Sequence, residues 1–232
     1  MAPVKQKLGI IGGAGPYASA LLYQSIIKKH YEAEREQTPE IVLLNYPFTR
    51  GLSLKESQSH MQQLRLELQY CMNCLALQGV DRFAIACNTL HSFLPGLDLK
   101  GMNVLSIPQL VIETALKADL HKLLLLSTAT TIQSRLYQHP SIRLVTPQAP
   151  EQKVLDAIID RILAGVISKK DSEELSHLIH TCALRDGIDG IILGCTDLPV
   201  LHAHHPIDVG PLPILDSIQI PAHHFIHVER LV

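Results

Sequence analysis

Short apolar runs alternate along the chain with longer stretches whose apolar residues recur every three or four positions. The runs are Leu8–Ile11, Glu40–Leu44, Phe83–Ala86, Val104–Pro108, His121–Leu126, Ile142–Val145, Ile188–Leu193 and Leu212–Leu215. Most are apolar at successive rather than alternate positions and too short for a helix, which predicts strands buried on both faces of a parallel sheet. The stretches between them predict helices over Tyr17–Tyr31, Ser59–Gln78, Gln109–Lys117, Ile132–Gln138, Glu151–Leu163, Ser172–Leu184 and Ile220–Leu231. In Ser59–Gln78 the stripe Leu64, Leu68, Cys71, Leu75 marks the face turned to a core. Such alternation predicts an α/β fold with helices flanking parallel strands.

The order of features repeats. Leu8 recurs as Lys122, Ile41 as Ile142 and Cys87 as Cys195, at intervals that differ only by what loop insertions produce. The expectation is two similar α/β subdomains, pseudo-two-fold related, each with a parallel sheet. Residues 1–107 with 211–232 form the first and residues 108–210 the second, with the active site in the cleft between them. The last helix is expected to pack back on the first half.

With 232 residues the chain is long enough for such a pair of cores. Hydrophobic residues make up 47% and charged residues 18%, and the formal net charge of −2 gives no electrostatic reason to expect nucleic acid or an anionic membrane. No run approaches the roughly 18 apolar residues of a membrane span. Met1–Lys7 leads directly into a strand-like segment without a secretory apolar region. Five cysteines at low density do not suggest a disulfide framework. The expectation is a soluble, cytoplasmic protein.

Two strand ends carry the candidate chemistry. Phe83-Ala84-Ile85-Ala86-Cys87-Asn88-Thr89 and Gly190-Ile191-Ile192-Leu193-Gly194-Cys195-Thr196-Asp197 each bring a cysteine to the carboxyl end of a strand, where open α/β sheets place ligands. A helix starting just beyond would favour a thiolate or bound carboxylate there. Gly12-Gly13-Ala14-Gly15-Pro16 follows the first strand, and glycine lets backbone approach a ligand at Gly12. Its spacing is not that of a dinucleotide-binding loop, and the second strand ends in Asn45 rather than an acid. The loop Asn45-Tyr46-Pro47-Phe48-Thr49-Arg50 can bind a carboxylate through Arg50, and a solvated surface arginine is an equal reading of it. Ser127-Thr128-Ala129-Thr130-Thr131 is the corresponding polar loop of the second half, with Thr128 as its candidate substrate contact.

Cys71 and Cys74 form a C-x-x-C inside a helical pattern without a second ligand pair, and Cys182 also lies in a helix; these read as core or half-exposed thiols. Thirteen histidines include His202-Ala203-His204-His205 and His223-His224-Phe225-Ile226-His227, which lack the Cys or carboxylate partners of a closed metal site. No metal is expected. His91, four residues after Cys87, can tune that thiol or orient its loop.

A pair of thiols suits removal of a weakly acidic α-proton from an amino acid. One thiolate takes the proton from one face and the other thiol returns one to the opposite face, inverting the centre. N–H groups and hydroxyls at Asn88, Thr89 and Thr196 would hold the substrate carboxylate, where negative charge grows. The scheme needs no cofactor.

The glycine loop, Cys87-Asn88-Thr89-Leu90-His91, Ser134-Arg135-Leu136-Tyr137-Gln138 and Gly194-Cys195-Thr196-Asp197 resemble the aspartate/glutamate racemase family over nearly the whole chain. The resemblance implies cofactor-independent racemisation of aspartate or glutamate, with Cys87 and Cys195 as alternating base and acid. It also implies a homodimer. The chain departs from the family at Ala14 and Tyr17, where Met and Glu are usual, and at Asp197, where Glu is usual. Ile162-Leu163-Ala164-Gly165 replaces a lysine-bearing segment of aspartate-specific members, and Lys169 and Lys170 come later. The alternatives are an isomerase of another small carboxylate, maleate- or hydantoin-type, and a non-catalytic carboxylate-binding member.

Overall fold

Lys7–Gly12 (β1) and Arg82–Ile85 (β3) are the inner strands of a four-stranded sheet, with Glu40–Asn45 (β2) and Asn103–Leu105 (β4) on its edges. The structure is a computed structural model that describes residues 7–34, 38–49 and 57–227. All three pairings of this sheet are parallel, with Ile10 opposite Leu43 on one side and Ala84 on the other. The inner strands are buried almost throughout, as unbroken apolar runs require. β2 is half exposed, Leu43 included, because an edge strand is covered less completely than its inner neighbours.

Pro16–Glu32 (α1) and Gln58–Leu77 (α2) flank this sheet. Pro16 starts α1, where its missing N–H costs nothing. Ser57 caps α2 by accepting the His60 N–H at 3.2 Å. The stripe Leu64, Leu68, Cys71, Leu75 is wholly buried. Burial pushes the Cys71 thiol up to about 12, so it is an inert core thiol. Gln219–His227 (α8) lies against α1, where Gln219 donates to Ser25 Oγ at 2.8 Å and Arg82 donates to the Phe225 carbonyl.

The second unit repeats the plan. Lys122–Leu126 (β5) and Gly190–Leu193 (β7) are inner strands, and Arg143–Val145 (β6) and Ile214–Asp216 (β8) are edges, all parallel. Both sheets therefore run second, first, third, fourth strand, an identity of topology that goes beyond any likeness of sequence. Its helices are Ile107–Lys117 (α3), Ala129–Gln133 (α4), Ala149–Leu163 (α5), Lys169–Asp186 (α6) and Asp197–His204 (α7). Leu155, Ile158, Ile162, Leu175, Ile179 and Leu198 bury their side chains together against β5 and β7.

The structure departs from the sequence expectation in three places. The units are divided after Ile107 and after Ser217, so 211–217 belongs with the second unit rather than the first. The cause is β8, whose Leu215 and Asp216 align with Ile192 and Leu193 of β7; a strand's partner is not written in its own apolar run. The helix expected over Ile132–Gln138 is shorter and earlier, because Thr128 caps it and Arg135 turns into the left-handed region at φ 54. The third difference is α7, which apolar periodicity does not reveal. It starts directly after Cys195-Thr196 and buries Leu198, Val200 and Leu201, taking His202 and His204 into its last turn. No described helix is long and apolar enough to cross a membrane.

Candidate active site

In each unit the first strand sends its chain to one side and the third strand lies on the other, so the strand order reverses between them, the place where open α/β sheets bind ligands beyond the carboxyl ends of their strands. Cys87 stands two residues past β3 and Cys195 two residues past β7. Each thiol therefore occupies the same station of its own sheet.

In the first unit, the glycine loop beyond β1 is packed by the protein's own atoms. Gly13 has φ 106, and a side chain there would run into the Tyr46 carbonyl. A side chain at Gly12 would meet Ser19, whose hydroxyl accepts the Gly13 N–H at 3.1 Å and donates to the Gly15 carbonyl at 3.1 Å. The Gly12 carbonyl accepts the Tyr46 N–H at 2.9 Å, which ties this loop to the one after β2. Asn45 is the exposed last residue of β2, opposite Gly12. Arg50 lies outside the described residues.

Glu67 was not among the residues expected at the site. It is buried on α2 and accepts the Thr49 hydroxyl at 2.5 Å, the Thr49 N–H at 2.9 Å and the Gln63 amide at 3.0 Å. Burial alone would raise its carboxyl; the bonds from Thr49 and Gln63 outweigh that and hold it below the usual range. It thus anchors the residue before Arg50. The signal was in the sequence: a carboxylate three residues after Leu64 and four before Cys71, on the apolar stripe.

Cys87 is half-buried, and Asn88 and Thr89 are buried. A five-residue 3-10 helix, Thr89–Phe93, follows and carries His91. The Ile107 N–H points at His91 Nε2 at 3.3 Å, so Nε2 is the acceptor and Nδ1 carries the proton given to the Cys87 carbonyl at 2.9 Å. Burial pushes the ring down to about 4, so it is neutral at physiological pH. His91 orients the Cys87 turn as a clamp between two main-chain groups. The unfolded chain takes up this proton near pH 6.5 and the folded chain only near 4. Stability from His91 is therefore full above pH 6.5 and is lost as pH falls towards 4, by about 3 kcal/mol in all. Urea titrations at pH 7 and 4.5 check this: His91→Gln should show a smaller acid loss than the natural protein.

In the second unit, Gly194 keeps the end of β7 against β5. Its N–H donates to the Leu126 carbonyl at 2.8 Å, and a side chain would press on Leu125 and Ser127. Cys195 is 8% exposed and donates its thiol proton to Asp197 Oδ2 at 3.4 Å. Thr196 is buried, and Asp197 is the first residue of α7. Burial pushes the Asp197 carboxyl up to about 6, against the pull of the Cys195 hydrogen bond. The buried Tyr137 phenol is raised well above its ordinary value, by burial first and then by the charge of Cys195.

Thr128 is the cap of α4: its hydroxyl accepts the Thr131 N–H at 3.3 Å and meets Thr131 Oγ1 at 3.2 Å. Gln152, also unanticipated, donates to the Ser127 carbonyl at 3.0 Å and steadies that loop. Among the described residues no group of three or more His, Cys, Asp and Glu is arranged to hold a metal ion. A groove of about 840 Å³ between α5 and α6, lined by Val154, Arg161 and His177 among others, contains none of the expected site residues.

The chain is similar to known proteins over nearly its whole length. It is 24% identical to the broad-specificity amino-acid racemase RacX of Bacillus subtilis (strain 168), covering 90% of this chain and 92% of that one. The structure of an aspartate racemase homologue from Pyrococcus horikoshii OT3 superposes with a TM-score of 0.77 at 26% identity, covering 96% of this chain and 98% of that one. Picrophilus torridus aspartate racemase superposes with a TM-score of 0.76 at 25% identity, covering 92% and 89%. The sequence profile of the Asp/Glu/hydantoin racemases matches residues 11–224. With both sheets, both cysteine-bearing strand ends and the glycine loop inside or bordering that match, the chain belongs to the Asp/Glu/hydantoin racemase family and is an isomerase of the amino-acid racemase class.

Proposed function

We propose that this protein racemises an amino acid, with aspartate and glutamate as its first candidates, by a cofactor-independent two-base mechanism. The observation that carries this reading is the equivalence of Cys87 and Cys195, each two residues beyond the third strand of a sheet of identical order. Packing alone gives no reason for two cysteines at one repeated station. In the forward step the thiolate of one cysteine takes the α-proton: a C–H bond breaks and an S–H bond forms. The other thiol then donates its proton to the opposite face of the carbanion and becomes the thiolate. Net charge is unchanged, and the reverse reaction starts with the roles exchanged.

Asn88, Thr89 and Thr196 would bind the substrate carboxylate, with Gly12 and Thr128 at the neighbouring loops. Arg50 would meet a side-chain carboxylate and supply charge-assisted bonds of about 1.5–3 kcal/mol. The similarity to a broad-specificity racemase, together with Ile162-Leu163-Ala164-Gly165 in place of a lysine-bearing segment, supports a substrate range wider than aspartate alone.

A panel of L- and D-amino acids in D2O, followed by NMR, tests the reading. The α-proton signal of both enantiomers of at least one acidic amino acid should disappear without added pyridoxal phosphate or metal, and optical rotation should decay to zero. An amino acid that binds by calorimetry but keeps its α-proton would instead establish a carboxylate-binding protein. Conversion of maleate to fumarate would establish the isomerase alternative.

A further inference from the structure

The second unit contains a hollow that Cys195, Thr196 and Thr128 do not line. Its volume is about 310 Å³, and Leu125 of β5 and Leu144 of β6 form part of its wall. That size is at the lower end of small-molecule pockets. The turn after α4 supplies Arg135, Tyr137, Gln138 and His139 to the same wall. No aspartate or glutamate lines the hollow, so Arg135 sets its electrostatic sign. The larger groove between α5 and α6 is different. Glu151, Glu173 and Glu174 line it beside Lys153 and Arg161, so it favours neither sign.

The donors of this turn are held in place before any ligand arrives. Arg135 takes φ 54, and its carbonyl accepts the Gln138 N–H at 3.1 Å, which closes the turn. Tyr137, 1% exposed, pins the turn from within. The Ser141 N–H donates to His139 Nδ1 at 3.2 Å, so Nδ1 is an acceptor and Nε2 carries a ring proton. Among the described residues no carboxylate pairs with the Arg135 guanidinium. A planar fork of donors with a ring N–H four residues further on suits the oxygens of a carboxylate or a phosphate. We propose that this hollow is a second ligand site, which takes a small anion through the Arg135 guanidinium and the His139 Nε2–H. The Gln138 amide and the Thr146 hydroxyl stand beside those two donors, and Leu125 and Leu144 face the body of the ligand. Ordering the turn beforehand lowers the entropy lost on binding.

Calorimetric titration of the full protein with inorganic phosphate and, separately, with succinate, at constant ionic strength, tests the site. At least one probe should bind, and Arg135→Gln should weaken that binding by roughly 10-fold or more. Arg135→Lys keeps the charge but loses the fork, and should fall between the natural protein and Arg135→Gln. Arg143→Gln removes an equal charge from β6 outside the hollow, and should bind as the natural protein does. Arg135-dependent binding of phosphate alone assigns the site to phosphate groups, of succinate alone to carboxylates, and of both to either group. Histidine ring signals in the proton NMR spectrum give a second readout, with His139 identified by its loss in His139→Gln. The His139 signals should move as the probe is added to the natural protein and stay in place in Arg135→Gln. The proposal is overturned if neither probe binds, if Arg135→Gln binds as tightly as the natural protein, or if Arg143→Gln loses as much. Neither measurement involves an amino acid or a turnover. Failure here therefore leaves the proposed racemisation standing, and failure of the racemisation leaves this site standing.

Discussion

Cys87→Ala and Cys195→Ala should each lose racemisation by roughly 10³-fold or more, since each removes a proton-transfer group outright. Both changes delete one sulfur atom from a strand end, and thermal unfolding should move little, which separates loss of chemistry from loss of structure. The two variants should also differ from one another. With one thiol gone, the remaining thiolate can still remove an α-proton from its own face and return a deuteron from solvent to that face. Each variant should therefore exchange the α-proton of one enantiomer without inversion, and the two should choose opposite enantiomers. This assigns a face to each cysteine. Full racemisation by either variant would sink the two-base mechanism.

Gly13→Ala should be the most damaging single-methyl change at the site. The residue holds φ 106, where an L side chain is strained, and the added carbon would run into the Tyr46 carbonyl, a main-chain atom that cannot rotate away. Strain and overlap together should cost about 2–4 kcal/mol, lowering the midpoint of thermal unfolding of the first unit by roughly 4–16 °C. The measurement is differential scanning calorimetry of Gly13→Ala beside Ala14→Gly, a control one residue away. Equal midpoints for Gly13→Ala and the natural protein would show that the loop after β2 yields to the clash. The glycine loop is then a joint between two loops of the same sheet, with Ser19 and Tyr46 filling the space beside Gly12 and Gly13.

Much of the architecture was legible because its signals are local. Buried parallel strands announce themselves as unbroken apolar runs, and Leu123–Leu126 and Ile191–Leu193 are fully buried as such runs demand. The stripe on α2 was equally plain. The helices beside the second cysteine were not. α7 opens with Asp197-Leu198-Pro199-Val200-Leu201, all buried, so it has no polar face to set a period. α4 stops where Arg135 turns left-handed, and no proline or glycine marks the place.

The site divides in the same way. Cys87 and Cys195 stood out because a duplicated order of elements puts them at one repeated station, a relation that can be read along the chain. Glu67 under Thr49, Tyr137 beside Cys195 and Gln152 under Ser127 come from elements distant in sequence, and only folding brings them near. His91 shows the difference within one residue. Its spacing from Cys87 suggested a tuning or orienting role, and it took the direction of the Ile107 N–H to settle which nitrogen carries the proton. By itself, then, the sequence determined the α/β class, the repeated order of elements and the two thiols, because strand burial and motif spacing are properties of short segments. The tertiary structure alone decided that β8 belongs beside β7, which buried side chains anchor which loops, and that the Ile107 N–H closes the clamp on His91, because strand partners and burial are set by residues far apart in the chain.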